Sequence, residues 1–348
     1  MRAVFGTELP IVLAPMAGFG TVELAIAVAN AGGLGSLACA SISVDEAERQ
    51  IATFRECGKP LNLNFFCHAT AIGDDSKWRA KVAPYYAEFA ITSATPGTAR
   101  NPFDDNSCAL VERTKPEVVS FHFGLPPADL LARVKATGAR VISSATTVRE
   151  AVWLVERGCD AIIAQGAEAG GHRAMFLSRD VAAQVGTFAL VPQIVDAVRV
   201  PVIAAGGIAD ARGIAAAFAL GASAVQLGTA FLACPEAKLS PIHRAALATA
   251  GDDSTVITNV FTGRPARGIV NRAIRDLGPI SDVAPPFPLA SAALAPIRAK
   301  AEAAGSGDFT NLWAGQAAHL MRAGEPAFEL TQRLARETIT LLRNLATQ

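Results

Sequence analysis

Residues 161–173, AIIAQGAEAGGHR, decide the fold. The run Ala161-Ile162-Ile163-Ala164 is short, apolar and of strand character. It passes straight into Gln165, three glycines (Gly166, Gly170, Gly171) and His172. A buried strand that ends in glycines and polar groups belongs at the carboxyl edge of a parallel sheet or barrel, where ligands bind. Two later segments repeat the design. Residues 201–210, PVIAAGGIAD, end a strand in Gly206-Gly207, and residues 222–231, ASAVQLGTAF, end one in Gln226-Leu227-Gly228-Thr229. Three successive strands therefore end in groups able to hold one ligand.

Five more strands precede these, at 11–14, 34–38, 61–66, 118–121 and 140–143, with helical segments between them. Eight strands at this spacing make βα units, and the expected fold is a (β/α)8 TIM barrel. Such a barrel takes ~250 residues, so a chain of 348 carries additions. One lies at about 67–116, which fits no single crossover helix and reads as an insertion after strand three. It holds a helical run near 81–89, a Pro/Asn/Asp stretch at 101–106 and a second short helix. Long insertions at this edge often cover an active site. Beyond residue 239 the pattern changes to a helix at 240–250, an irregular piece with strand character at 255–268 and a Pro-rich run at 282–288. Helical stretches follow near 290–304, 313–322 and 326–345. The expected division is a cofactor-binding barrel over 1–250 and a mainly helical extension over 251–348. The last helix is amphipathic and should pack on the barrel wall or a partner subunit, which leaves a homodimer open.

A 51% share of hydrophobic residues suffices for a large core, and a net charge of zero gives no reason to expect nucleic acid or an acidic membrane surface as partner. The N-terminal apolar run is interrupted by Pro10 and Pro15 and is too short for a signal peptide or membrane span. Six scattered cysteines (Cys39, Cys57, Cys67, Cys108, Cys159, Cys234) contain no C-x-x-C pair. They read as reduced thiols of a cytoplasmic protein. No His/Asp/Glu set has ligand spacing, so no metal is expected. Cys39 and Cys67 lie near strand ends, but no histidine can be paired with either as a nucleophile's base.

Gly206-Gly207 and Gly228-Thr229 end adjacent strands. In barrels these loops hold phosphate through backbone N–H groups, and a Cβ would block the approach. Asn64, Gln165 and Gln226 end three strands with amides, which suit a neutral heteroaromatic edge such as a flavin pyrimidine ring. His172 follows Gly170-Gly171 and is the candidate general base or anion-holding group. His122 ends strand four and either acts on the ligand or shapes the pocket. His68, His243 and His319 have no comparable placement. Glu168 lies inside the opening motif and is expected to bond loop amides.

Taken together, Pro15-Met16-Ala17-Gly18, Asn62-Leu63-Asn64, GAEAGGHR through Arg173, Ala205-Gly206-Gly207-Ile208 and Gln226-Leu227-Gly228-Thr229 resemble the nitronate monooxygenases, formerly 2-nitropropane dioxygenases. Residues 119–124, VSFHFG, and 312–316, LWAGQ, resemble the class I branch. The resemblance implies an FMN-dependent barrel that oxidises alkyl nitronates, such as propionate 3-nitronate, with O2 to nitrite and a carbonyl product. It places Met16, Asn64, Gln165, Gly170, Gly171, Gly206, Gly207, Gln226, Leu227, Gly228 and Thr229 around FMN, with His172 as the catalytic histidine. In one respect the chain departs. Many relatives place tyrosines in the helical part, whereas the only tyrosines here are Tyr85 and Tyr86, in the insertion. An NAD(P)H-dependent flavin reductase (quinone or enoyl-acyl-carrier-protein reductase) of the same superfamily shares the GGH motif and the phosphate loops. A non-catalytic sensor of a phosphate ligand is the third reading.

Overall fold

The computed structural model describes residues 5–70, 73–92 and 102–347. Its strands, in chain order, are β1 (Ile11–Leu13), β2 (Gly35–Ala38), β3 (Leu61–Phe66), β4 (Val118–His122), β5 (Arg140–Ala145), β6 (Ala161–Gln165), β7 (Gly171–His172), β8 (Val202–Ala205), β9 (Ala224–Leu227), β10 (Thr255–Thr258) and β11 (Ala266–Ile269). Eight of them form one parallel sheet in the order β1-β9-β8-β6-β5-β4-β3-β2. A parallel bridge from Val12 to Leu34 joins its two ends. There Leu13 N donates to the Leu34 carbonyl at 3.0 Å and Leu34 N to the Ile11 carbonyl at 2.9 Å. The result is a TIM barrel.

Strand alternation sorts the side chains into two cores. Val12, Leu34, Val118, Ile142, Ile163 and Ile203 fill the barrel interior. Residues one step out of phase, such as Leu13, Leu63, Val119 and Ile162, pack against Leu24, Val28 and Phe54 of the surrounding helices. This explains the two asparagines of β3, where all six residues are buried. Asn62 and Asn64 both point inward, and each has a polar partner. Asn62 Nδ2 donates to Ser36 Oγ at 2.9 Å, and Asn64 Nδ2 donates to Ser120 Oγ at 3.0 Å. The helices begin where local chemistry requires. Thr21 caps the helix Val22–Asn30 and Thr147 the helix Val148–Glu156, each hydroxyl accepting from the amide three residues on.

The insertion holds the helices Ser76–Glu88 and Asp105–Thr114. Residues 71–72 and 93–101, the latter reaching into the Pro/Asn/Asp stretch, lie outside the described residues, as do residues 1–4 of the N-terminal run and residue 348. Trp78 of the first insertion helix is fully buried and donates to the Ala290 carbonyl at 3.1 Å, which ties the insertion to the helix Ala290–Ala303. Residues 255–269 form the hairpin β10–β11, and β11 pairs in turn with β7. The stretch 313–322 differs from expectation. It contains only the 3-10 turn Gln316–Leu320, because residues 312–315 are drawn out along β11 and over the barrel mouth. The helix Ala327–Ala346 buries Leu330 and Leu334 in the barrel's outer core.

Candidate active site

The sequence elements converge at the carboxyl end of the barrel. One cavity there is lined by Met16, Asn64, His122, Gln165, Gly170, Gly171, His172, Gly206, Gly207, Gln226, Gly228 and Thr229. Leu227 is the exception. It follows the inward-facing Gln226, so strand alternation turns it outward into the helix-facing core, where it is 1% exposed. What it offers near the mouth is a carbonyl, and that accepts from Ala14 N at 2.8 Å.

At one end of the cavity, Gly206 and Gly207 have φ of +104° and +72°. A Cβ on Gly206 would sit 2.9 Å from the Ala169 amide nitrogen, so glycine is needed for both conformation and space. Gly170 is bare for another reason. A Cβ there would lie 2.5 Å from Gly315 N. The segment 312–316 therefore packs directly on the glycine run, and Gly315 N donates to Thr229 Oγ1 at 2.9 Å. Glu168 lines the cavity and accepts from both the amide and the hydroxyl of Thr187 at 2.8–2.9 Å.

At the other end stands His172. The glycine-rich loop carries it into β7, which pairs with β11 so that His172 opposes Ala266. Its carbonyl is clamped twice, by Gln165 Nε2 at 3.0 Å and by His122 Nε2 at 3.2 Å. The Gln165 amide is thereby committed at both ends, since Oε1 accepts from Ala174 N at 2.8 Å. His172 Nε2 meets Thr262 Oγ1 at 3.0 Å. The Thr262 hydroxyl also lies 3.3 Å from the Arg264 carbonyl and accepts from Arg264 N at 3.4 Å. His122 donates to a carbonyl through Nε2 and lies 3.3 Å from Ser144 Oγ through Nδ1. Burial pushes its pKa down to about 3, helped by the nearby Arg264, so it stays neutral.

Aromatic rings surround the His172 imidazole. Phe287, Trp313, Phe123 and Phe66 have centroids 5.3, 5.6, 5.9 and 6.3 Å from it. These rings come from four distant parts of the chain, joined only by the folded mouth of the barrel.

A profile of the nitronate monooxygenases matches residues 1–337. The chain belongs to the nitronate monooxygenase family. It is 42% identical to a nitronate monooxygenase of Paraburkholderia phytofirmans over 99% of this chain and 96% of that one. It is similar in structure to a nitroalkane oxidase from Streptomyces ansochromogenes, with TM-score 0.90, 38% identity, and 97% and 98% of the two chains covered. It is also similar to FabK from Thermotoga maritima, with TM-score 0.76, 29% identity, and 100% and 99% covered. This nitronate monooxygenase family member is an oxidoreductase, which sets aside the sensor reading.

Around the His172 ribbon, the family member places three arginines that bond neutral acceptors, Arg173 and Arg267 buried and Arg264 half-buried. Arg173, fully buried, donates to the Gly166 carbonyl at 2.6 Å, the Gln165 carbonyl at 2.8 Å and Gln184 Oε1 at 2.9 Å. Arg264 lies 3.7 Å over the Phe123 ring and donates to the Met175 carbonyl. Arg267 donates to the Ala167 carbonyl at 2.9 Å. Desolvation pulls the Arg173 and Arg264 pKa values down to about 10 and that of Arg267 in the same direction, yet all three remain charged at neutral pH. Glu150, also fully buried, accepts from the Thr146, Phe176 and Leu177 amides instead of from an arginine.

The cysteines take no part. Burial raises Cys39 to about 12 and Cys67 well above its ordinary value, so neither is a thiolate nucleophile. Two histidines are better placed than their sequence context indicated. His68 packs edge-on to Phe287 at 4.8 Å, in the aromatic cluster next to His172. His243 donates to the Trp313 carbonyl at 3.1 Å. Thr262 and Phe287, the supports of His172, carry no motif that would have marked them. Among the described residues no helix is long and apolar enough to cross a membrane.

Proposed function

We propose that this protein is an FMN-dependent enzyme that oxidises alkyl nitronates with O2, releasing nitrite and a carbonyl product. The observation that carries this reading is the cavity itself, which joins a glycine cradle at one end to an aromatic-walled histidine at the other. The lining fits FMN. Gly206, Gly207 and Gly228 line the cavity with backbone alone, and Gln226 Oε1 is buried with no hydrogen-bond partner among the described residues. An orphaned acceptor of that kind suits an N–H of a pyrimidine ring. Asn64, Gly170, Gly171, Gln165, Met16 and Thr229 complete the proposed FMN pocket, and Leu227 supports it only through its backbone.

FMN, when bound, supplies the one-electron chemistry between nitronate and O2. The chain's part is binding and orientation. His172 holds the anionic nitro group, with its Nε2 hydrogen-bonded to Thr262 and its backbone fixed by His122 and Gln165. In this reading His172 is catalytic and His122 is a positioning residue. Phe66 and Trp313 exclude water around the reacting centre. We further propose that residues 1–250 carry the cofactor and that residues 251–348 complete the substrate wall. The test is nitrite release in air from ethane nitronate by protein fully loaded with FMN. Fast, FMN-dependent nitrite with O2 consumption is expected, and none at all from loaded protein sinks the reading.

The likeness to FabK keeps an NAD(P)H-dependent flavin reductase as the second reading. Rapid anaerobic bleaching of the flavin by NADH or NADPH, without nitrite from nitronates, would move the assignment there.

A further inference from the structure

The loop that follows His172 is held from two sides. The fully buried Glu150 accepts from the Phe176 and Leu177 amides at 2.6 and 3.0 Å. The carbonyls of the same segment meet arginines instead. Arg264 donates to the Met175 carbonyl, and Arg149 donates to the Leu177 carbonyl at 3.1 Å. Arg179 stands two residues further on and is exposed, as is Arg149. Burial pulls the Arg264 pKa down, and the charge of Arg179 adds to that effect. Five residues span at most about 18 Å, so residues 175–179 gather three guanidinium groups on one short segment. Arg149 lies in the first turn of the helix after β5, and the segment follows β6 and β7, which puts the group on the rim of the barrel's catalytic face. The carboxylates at hand are bonded to amides. Glu150 is occupied as above, and Asp180 Oδ1 accepts from Ala182 N at 2.9 Å.

The charge of this rim reaches the cavity. His122 lines it, and the pKa of His122, pushed down first by burial, is pushed further by Arg264 and Arg173. The opposite end is negative, with Glu168 in the lining and the proposed FMN phosphate beside the glycines. Counted with a phosphate of about two negative charges, Glu150, Glu168 and Asp180 balance Arg149, Arg173, Arg179, Arg264 and Arg267. What remains is a direction, positive at the His172 end and negative at the glycine end. We propose that Arg149, Arg179 and Arg264 form a cationic rim that draws small anionic substrates toward His172. This rests on the nitronate reading above and adds the approach to its site. Exposed charges act over about 8–10 Å at ordinary ionic strength, so the rim governs capture of the anion and leaves the chemical step alone.

The test measures nitrite release from propionate 3-nitronate, a dianion, by FMN-loaded enzyme between about 20 and about 300 mM salt. Wild-type kcat/KM is expected to fall about threefold or more across that range, with kcat unchanged. Arg149 and Arg179 do not line the cavity. Arg149→Gln/Arg179→Gln should therefore keep FMN and kcat, start about threefold lower in kcat/KM at low salt, and respond less to salt. Arg149→Lys/Arg179→Lys keeps both charges and should restore the wild-type value and slope. A wild-type kcat/KM independent of salt, or a wild-type slope in the glutamine variant, overturns the inference and leaves the nitronate reading standing. A loss in the glutamine variant that lysine does not repair assigns these arginines to loop geometry and overturns it as well. No nitrite from the wild type at any salt defeats the nitronate reading and the inference with it.

Discussion

The backbone of His172 is held by contacts that do not involve its ring. The two donors on its carbonyl and the pairing of β7 with β11 fix the backbone, and Thr262 fixes one nitrogen. Removing the imidazole should therefore leave the scaffold in place. His172→Ala is expected to retain FMN and to lose about 10²–10³-fold in kcat for nitronates, the usual scale for a positioned acid–base group. Flavin absorbance after gel filtration, set beside nitrite rates, separates the outcomes, and loss of FMN would make His172 a structural residue. Gly206 is the opposite case, since it has no side chain and its role is conformational. At φ +104°, with Ala169 N only 2.9 Å from where a Cβ would be, Gly206→Ala introduces about 1–3 kcal/mol of local strain. FMN affinity should fall by at least about tenfold while the apo-protein still folds. Titration of apo-protein with FMN measures this, and unchanged affinity would remove the loop from the phosphate site.

At the scale of elements, legibility followed periodicity. The barrel strands were readable because each is a short apolar run ending in glycine or an amide, and that pattern is local. The inward direction of Gln226 and the outward direction of the Leu227 side chain follow from the same period of two, so alternation alone separates the two. The ribbon β7–β11 was not legible. Two residues of strand, Gly171 and His172, carry no periodicity, and their partner lies almost a hundred residues away. Likewise 313–322 has helical composition but forms only the 3-10 turn Gln316–Leu320, because Trp313 at its start is bridged to β11, where tertiary pairing overrides propensity. This ribbon is testable. A Cβ on Gly268 would lie 2.9 Å from both the Leu312 carbonyl and the Trp313 ring. Gly268→Ala should push Trp313 from its place 5.6 Å from His172, lowering kcat/KM about tenfold or more while FMN binding is retained. Trp fluorescence and nitronate kinetics together report it, and wild-type kinetics would mean that Trp313 does not shape the reacting site. The helix Ala327–Ala346 gives a second test. Leu334 is fully buried against the barrel's outer core. Leu334→Ala should cost about 2–5 kcal/mol in urea unfolding, with little change in kcat, because the helix supports the barrel wall far from the cavity.

For the whole molecule, the barrel and the segment over its mouth are joined by neutral histidines, and this couples stability to pH. His243, on the helix Pro241–Ala248, is 1% exposed. It donates to the Trp313 carbonyl and meets the Phe19 ring edge-on at 5.2 Å. Burial lowers its pKa from 6.5 to about 4, and His122 is lowered to about 3. A histidine whose folded pKa is depressed takes up a proton in the unfolded chain first. As pH falls through about 6.5, the unfolded state binds protons that the folded state refuses, and stability drops until the folded pKa is reached. Each such histidine contributes a slope of about 1.4 kcal/mol per pH unit in that window. Carboxylates act later, because those with resolved shifts, such as Glu46, Glu88, Glu112 and Glu325, are held below their ordinary 4.5. The interval between about pH 6.5 and 4.5 thus belongs to the histidines. Urea unfolding at pH 7, 6 and 5 should reveal a fall that His243→Gln flattens by about one proton's slope. The variant should also be less stable at pH 7, because the Trp313 carbonyl loses its well-placed donor. An identical pH slope in the variant would mean that His243 is not the buried link between the barrel and the segment that covers it.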